Sequence, residues 1–138
     1  MTSRLNGASV LLIGEPGDER EMYAEALRMA GFCTLQAGNS LVAARLAGEL
    51  FPSAIVITDG RLDAGVGVSL LKELMKEWVP ASHPPVLLVT SHARFRDVQA
   101  VMSAGCDRVI VKPCPPEALI QALDEATAVT DSASPSHS

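Results

Sequence analysis

The stretch Ala54-Ile55-Val56-Ile57-Thr58-Asp59-Gly60-Arg61-Leu62-Asp63-Ala64-Gly65-Val66-Gly67 decides how this chain folds. Its first five residues are apolar or β-branched without alternation, the composition of a strand buried on both faces. The run stops on a carboxylate, Asp59, and passes into a loop marked by Gly60, Asp63, Gly65 and Gly67. Ligands of open α/β sheets bind at the carboxyl ends of parallel strands, which makes Asp59 a candidate site residue. A single Asp there would serve equally well as a turn residue, so the other strand ends must decide.

Upstream, 8–13 is a first buried run, ending on Gly14-Glu15-Pro16-Gly17. Asp18, with Glu21 three residues on, predicts a capping-box start to a helix. Tyr23, Ala26, Leu27 and Ala30 supply its inward stripe and Gly31 its stop. Residues 32–37 read as a second strand, and Asn39 or Ser40 opens a helix with Ala43, Ala47 and Leu50 inward. Downstream of the quoted stretch, 68–78 has helical spacing, with Leu71, Leu74, Met75 and Trp78 on one side. Residues 85–90 form a fourth strand, and 94–104 a helix with Val98, Val101 and Met102 inward, stopped by Gly105. Residues 108–112 form a fifth strand, and 115–128 a last helix with Leu119, Ala122, Leu123 and Ala126 inward.

Strict alternation of strand and helix implies a parallel sheet covered on both faces and joined by right-handed crossovers. Five such units fit a doubly wound, flavodoxin-like α/β domain with strand order 2-1-3-4-5. One domain is expected over 8–128, preceded by an N-terminal extension at 1–7 and followed by a Ser/Pro-rich tail at 129–138, expected to be disordered.

With 48% hydrophobic and 20% charged residues the chain has the composition of a globular protein. A net charge of −5 and a pI near 5.1 argue against nucleic acid or anionic membrane as a direct partner. No apolar stretch approaches a membrane span, and the first ten residues lack the apolar core of a signal peptide, so a cytoplasmic protein is expected. Cys33, Cys106 and Cys114, together with His83, His92 and His137, match no zinc spacing, and the cysteines read as small buried hydrophobes.

In the expected strand order, the ends of strands 1, 3, 4 and 5 carry Glu15, Asp59, Thr90 and Lys112. Neighbouring carboxylates repel, and a shared hard cation with oxygen ligands, Mg²⁺ above all, relieves them. Carboxylate, Mg²⁺, ammonium and hydroxyl together are what a transferring phosphoryl group needs for positioning and charge neutralisation. An Asp in such a site can itself be the nucleophile.

At these residues the chain resembles the receiver domain of bacterial two-component response regulators, over roughly 8–127. The similarity rests on VLLIGEP, on DGRLDAGVG from Asp59 to Gly67, on Thr90-Ser91, and on AGCDRVIVKP with its Lys112-Pro113 pair. The resemblance implies that Asp59 accepts phosphate from a histidine kinase or phosphotransfer protein, that Thr90 binds the phosphoryl oxygen and that Lys112 pairs with it. It implies Mg²⁺ held by Glu15, Asp59 and the backbone carbonyl of Arg61. It also implies a cis Lys112–Pro113 peptide and signalling through contacts with a downstream protein rather than an enzymatic activity.

The departures are specific. Gly14-Glu15 stands where the family usually has two acids, Asp63 where it has proline, Val66 where it has an acid, and Val109 where it has a switch aromatic. Weaker Mg²⁺ binding follows from the missing carboxylate. Gly14→Asp should restore it, unless the backbone at 14 needs a positive φ or a bulky neighbour fills the space that a side chain there would need. Gly14 and Val109 support a second reading, a degenerate pseudo-receiver that binds proteins without phosphorylation, while Asp59, Thr90 and Lys112 weigh against it. A small Asp-nucleophile phosphatase is disfavoured because Asp59-Gly60-Arg61 lacks a second acid, and a flavodoxin because 14–18 has no hydroxyl-rich phosphate loop.

Overall fold

The computed structural model describes residues 8–59, 72, 76, 84–91 and 95–132. Among them the order is β1 (Ser9–Gly14), α1 (Asp18–Met29), β2 (Cys33–Ala37), α2 (Ser40–Leu50), β3 (Ala54–Asp59), β4 (Val86–Thr90), α3 (Phe95–Ser103), β5 (Arg108–Val111) and α4 (Pro116–Ser132). The strands form one sheet in the order β2-β1-β3-β4-β5 with every neighbouring pair parallel, as the βα alternation predicts. The helix expected at 68–78 lies outside the described residues save Lys72 and Lys76, both exposed. The three histidines also lie outside them.

The absence of polar alternation in the central strands is explained by a core on each side of the sheet. One face packs Val10, Leu12, Val56, Leu87 and Val89 against Tyr23, Ala24 and Leu27 of α1 and Leu119, Ala122 and Leu123 of α4. The other packs Leu11, Ile13, Ile55, Ile57 and Leu88 against Ala43 and Ala47 of α2 and Val101 of α3.

Two helix ends share one device. Gly31 and Gly105 take positive φ (103° and 123°), which lets the chain reverse without a Cβ clash. At the first, Phe32 N–H bonds Leu27 C=O and Gly31 N–H bonds Arg28 C=O; at the second, Cys106 N–H bonds Val101 C=O and Gly105 N–H bonds Met102 C=O. These are Schellman closures, and in each the residue past the glycine packs in the same core cluster as the residue whose carbonyl it caps.

Several expectations need correction. The capping box at Asp18 does not form: Gly17 is the N-cap, with no side-chain cap bond, and Asp18, Glu19 and Glu21 instead place negative charge on the first turn. Helix α2 begins at Ser40 as expected, with Asn39 as its cap, accepting from Val42 N–H. Ala24, not Ala26, joins the α1 core, because helical rotation places 23, 24 and 27 over the sheet. Leu50 and Met102, expected inward, are 48% and 43% exposed; Leu50 ends its helix, just before the left-handed Phe51. Of the cysteines, Cys106 and Cys114 are buried but Cys33 is exposed. Helix α4 runs through 129–132, where the tail was expected to begin.

Burial pushes the Tyr23 hydroxyl up to about 12 from its ordinary 10.0, with the neighbouring Cys114 and Glu19 adding to the rise. It pushes the Cys106 thiol up to about 11 from 9.0, helped by Asp107 and opposed by the Arg108 backbone bond. Each group stays neutral when folded over a range in which the unfolded chain ionises it, so alkali favours unfolding. Stability should therefore be undiminished by these groups below about pH 9, then fall from 9 to 11 through Cys106 and from 10 to 12 through Tyr23. Urea melts at stepped pH check this: Cys106→Ala, though less stable overall, should lose the early part of the alkaline slope.

Candidate functional site

The site is built by where strands end. Parallel strands in register finish at one edge, so whatever follows each is delivered to the same place. Glu15 follows β1 directly and is exposed; Asp59 is the last residue of β3; Thr90 is the last of β4 and fully buried; Lys112 follows β5. The register pairs Asp59 with Thr90, and Lys112 N–H donates to the Thr90 carbonyl at 2.7 Å. Asp59 and Thr90 thus stand level on adjacent strands, about 4.8 Å apart, and Lys112 comes one residue after Val111, the partner of Thr90 on β5. The Lys112–Pro113 peptide is cis. Arg61 lies outside the described residues.

Two residues that sequence reasoning passed over complete this edge. Glu19, in the first turn of α1, holds the Lys112 ammonium at 2.8 Å (Oε1) and 2.7 Å (Oε2). The Lys112 side chain is only 16% exposed and that of Glu19 44%. Arg20 donates from Nη1 to the Gly14 carbonyl at 3.0 Å, and its Nε is buried with no partner among the described residues. The missed signal was positional: a helix that leaves β1 after a short turn starts beside the carboxyl edge, so charges in its first turn belong to the site.

Nearby, the Tyr23 hydroxyl donates to the Cys114 carbonyl at 2.7 Å. Together with Glu19–Lys112 this contact ties α1 to the segment after β5 at two points.

Gly14 is tight. A Cβ there would collide with Thr58 Oγ1 and lie 2.9 Å from the Thr58 carbonyl oxygen. Thr58, 5% exposed, spends its hydroxyl on the Ile13 carbonyl at 3.4 Å. The glycine where an acid was expected is therefore matched to a side chain on the neighbouring strand.

The donors at this edge are oxygens only, which suits a hard cation such as Mg²⁺ in kind. In number they are few: β1 contributes Glu15 alone, and among the described residues no three His, Cys, Asp or Glu side chains converge.

Asp59, Thr90 and Lys112 thus end or follow neighbouring strands at the carboxyl edge of a five-stranded doubly wound parallel sheet. The family model for the response regulator receiver domain matches residues 10–124, and the chain belongs to that family. The phosphate regulon transcriptional regulatory protein PhoB of Pseudomonas aeruginosa is 28% identical over 117 residues, covering 85% of this chain and 50% of that protein. The polar-differentiation response regulator DivK of Brucella anthropi is 28% identical over 105 residues, 76% of this chain and 84% of DivK. A crystal structure of the receiver domain of a Pseudomonas aeruginosa sensor histidine kinase, with a magnesium ion in its active-site cleft, superposes with TM-score 0.74 at 21% identity, covering 88% of this chain and 98% of that one. The chain thus spans half the length of the PhoB relative. Among the described residues no helix is long and apolar enough to cross a membrane.

Proposed function

We propose that this chain is a phosphoacceptor receiver in a two-component phosphorelay, with Asp59 as acceptor. A carboxylate oxygen of Asp59 attacks the phosphorus of a phosphohistidine on a histidine kinase or phosphotransfer protein. The P–N bond breaks, an acyl phosphate forms, and the imidazole leaves with its electron pair and takes a proton. The Thr90 hydroxyl donates to a phosphoryl oxygen, and the Lys112 ammonium neutralises another. Glu15, Asp59 and the Arg61 carbonyl would hold Mg²⁺, which when bound supplies charge neutralisation on the phosphoryl oxygens. Output runs through contacts with a protein target in the cytoplasm.

The observation that carries this reading is the pairing of Asp59 with Thr90 across β3–β4, with Lys112 bonded through its N–H to the Thr90 carbonyl at the same edge. Intact mass after incubation with acetyl phosphate and Mg²⁺ should show one phosphoryl addition, absent in Asp59→Asn. An adduct that survives in Asp59→Asn puts the acceptor elsewhere. A second reading, a phosphorylation-independent pseudo-receiver, is favoured by Gly14, which has no space for an acid, and by Val109, packed half-buried against the core where the family carries an aromatic ring. A wild type that gains no mass from acetyl phosphate or from a kinase selects that reading.

A further inference from the structure

We propose that Glu19 is a charge lock on Lys112, a carboxylate that the phosphoryl group must displace before the lysine can serve Asp59. The inference rests on the receiver reading and deepens it. An ammonium has three N–H donors, and both Glu19 oxygens lie within 2.8 Å of this one. Charge-assisted contacts of that length are the strong kind, and little solvent reaches the Lys112 end. Glu19 is not a free-swinging partner, because its backbone is fixed in the first turn of α1. That turn is itself anchored by Arg20 on the Gly14 carbonyl and, one turn on, by Tyr23 on the Cys114 carbonyl.

The geometry has two consequences. With no acid at 14, the β1 end offers Lys112 less negative charge, and helix α1 makes up the deficit from the side. An incoming phosphodonor then meets a neutralised lysine with a carboxylate beside it, so its approach is slowed. Once phosphate is on Asp59, Lys112 exchanges Glu19 for a phosphoryl oxygen, and the first turn of α1 loses its tie to the segment after β5. Glu19 is a positioning residue in this account, acting through Lys112.

The test compares wild type, Glu19→Gln, which keeps the shape and removes the charge, and Glu19→Asp, which keeps the charge. Circular dichroism melts verify that each folds. Without any phosphodonor, acetylation of the Lys112 amine by an N-hydroxysuccinimide ester, read by peptide mass mapping, should be several-fold faster in Glu19→Gln than in wild type. With acetyl phosphate and Mg²⁺, Glu19→Gln should gain the phosphoryl group roughly two- to fivefold faster, in line with the loss of one partly exposed ion pair. Glu19→Asp should stay near wild type in both assays. Equal Lys112 labelling in Glu19→Gln and wild type overturns the lock, and so does a Glu19→Gln protein phosphorylated no faster than wild type. A wild type that takes up no phosphate at all fails the receiver reading itself, whatever the labelling shows.

Discussion

Gly14→Asp should destabilise the protein by about 2–4 kcal/mol, with Mg²⁺ or without it. The added Cβ would collide with Thr58 Oγ1 and press to 2.9 Å on the Thr58 carbonyl oxygen, on a strand whose register with β1 is set by five paired positions. Overpacking of this kind costs about 1–3 kcal/mol, and a carboxylate pressed into a buried position adds a desolvation penalty. For a domain of this size the melting temperature should drop by about 10 °C. Against the pair of acids usual in the receiver family, the same substitution promised tighter Mg²⁺ binding; packing reverses the expectation, because the space for the acid is already occupied. Thermal melts across a Mg²⁺ titration decide the matter. Thr58→Ala in the Gly14→Asp background should recover part of the loss, since it removes the hydroxyl contact but not the carbonyl one. A Gly14→Asp protein as stable as wild type, with a larger Mg²⁺-dependent gain, would mean that the edge opens to admit the acid.

Tyr23→Ala should cost about 3–5 kcal/mol, the range for removing a large buried aromatic side chain. Tyr23 is 2% exposed and sits among Leu12, Leu27, Leu119 and Leu123 in the α1–α4 core cluster. Tyr23→Phe separates the two parts of that loss. It keeps the ring but leaves the Cys114 carbonyl without its 2.7 Å donor, for about 1–3 kcal/mol. Chemical denaturation of both variants checks the split. Because Cys114 is two residues past Lys112, Tyr23→Phe should also loosen the segment that carries the lysine, read as faster amide exchange after β5. A Tyr23→Phe protein as stable as wild type would show that water replaces the tyrosine hydroxyl at no cost.

Much of this molecule was determined by residue order alone. Unalternating runs such as Val10–Ile13 and Ala54–Thr58 can be buried on both faces only in a sheet covered on both sides, and helical stripes between them force parallel crossovers. The strand order, the two glycine helix stops and the convergence of Glu15, Asp59, Thr90 and Lys112 at one edge all follow from that local code, because each strand end is marked by where its apolar run stops. Tertiary structure decided what depends on neighbours distant in sequence. Whether Gly14 could be an acid turns on Thr58, forty-four residues away, through a side chain whose direction no periodicity reveals. That Lys112 faces a carboxylate on α1, 93 residues away, depends on how far that helix's first turn leans over the edge. Which of Ala24 and Ala26 is buried, and that Leu50 and Met102 are exposed, depends on helix rotation and on where each helix ends relative to the sheet. Apolar patterning specifies which elements form and in what order they pack, while pairwise contacts between side chains are set only when the sheet brings them within a few ångströms.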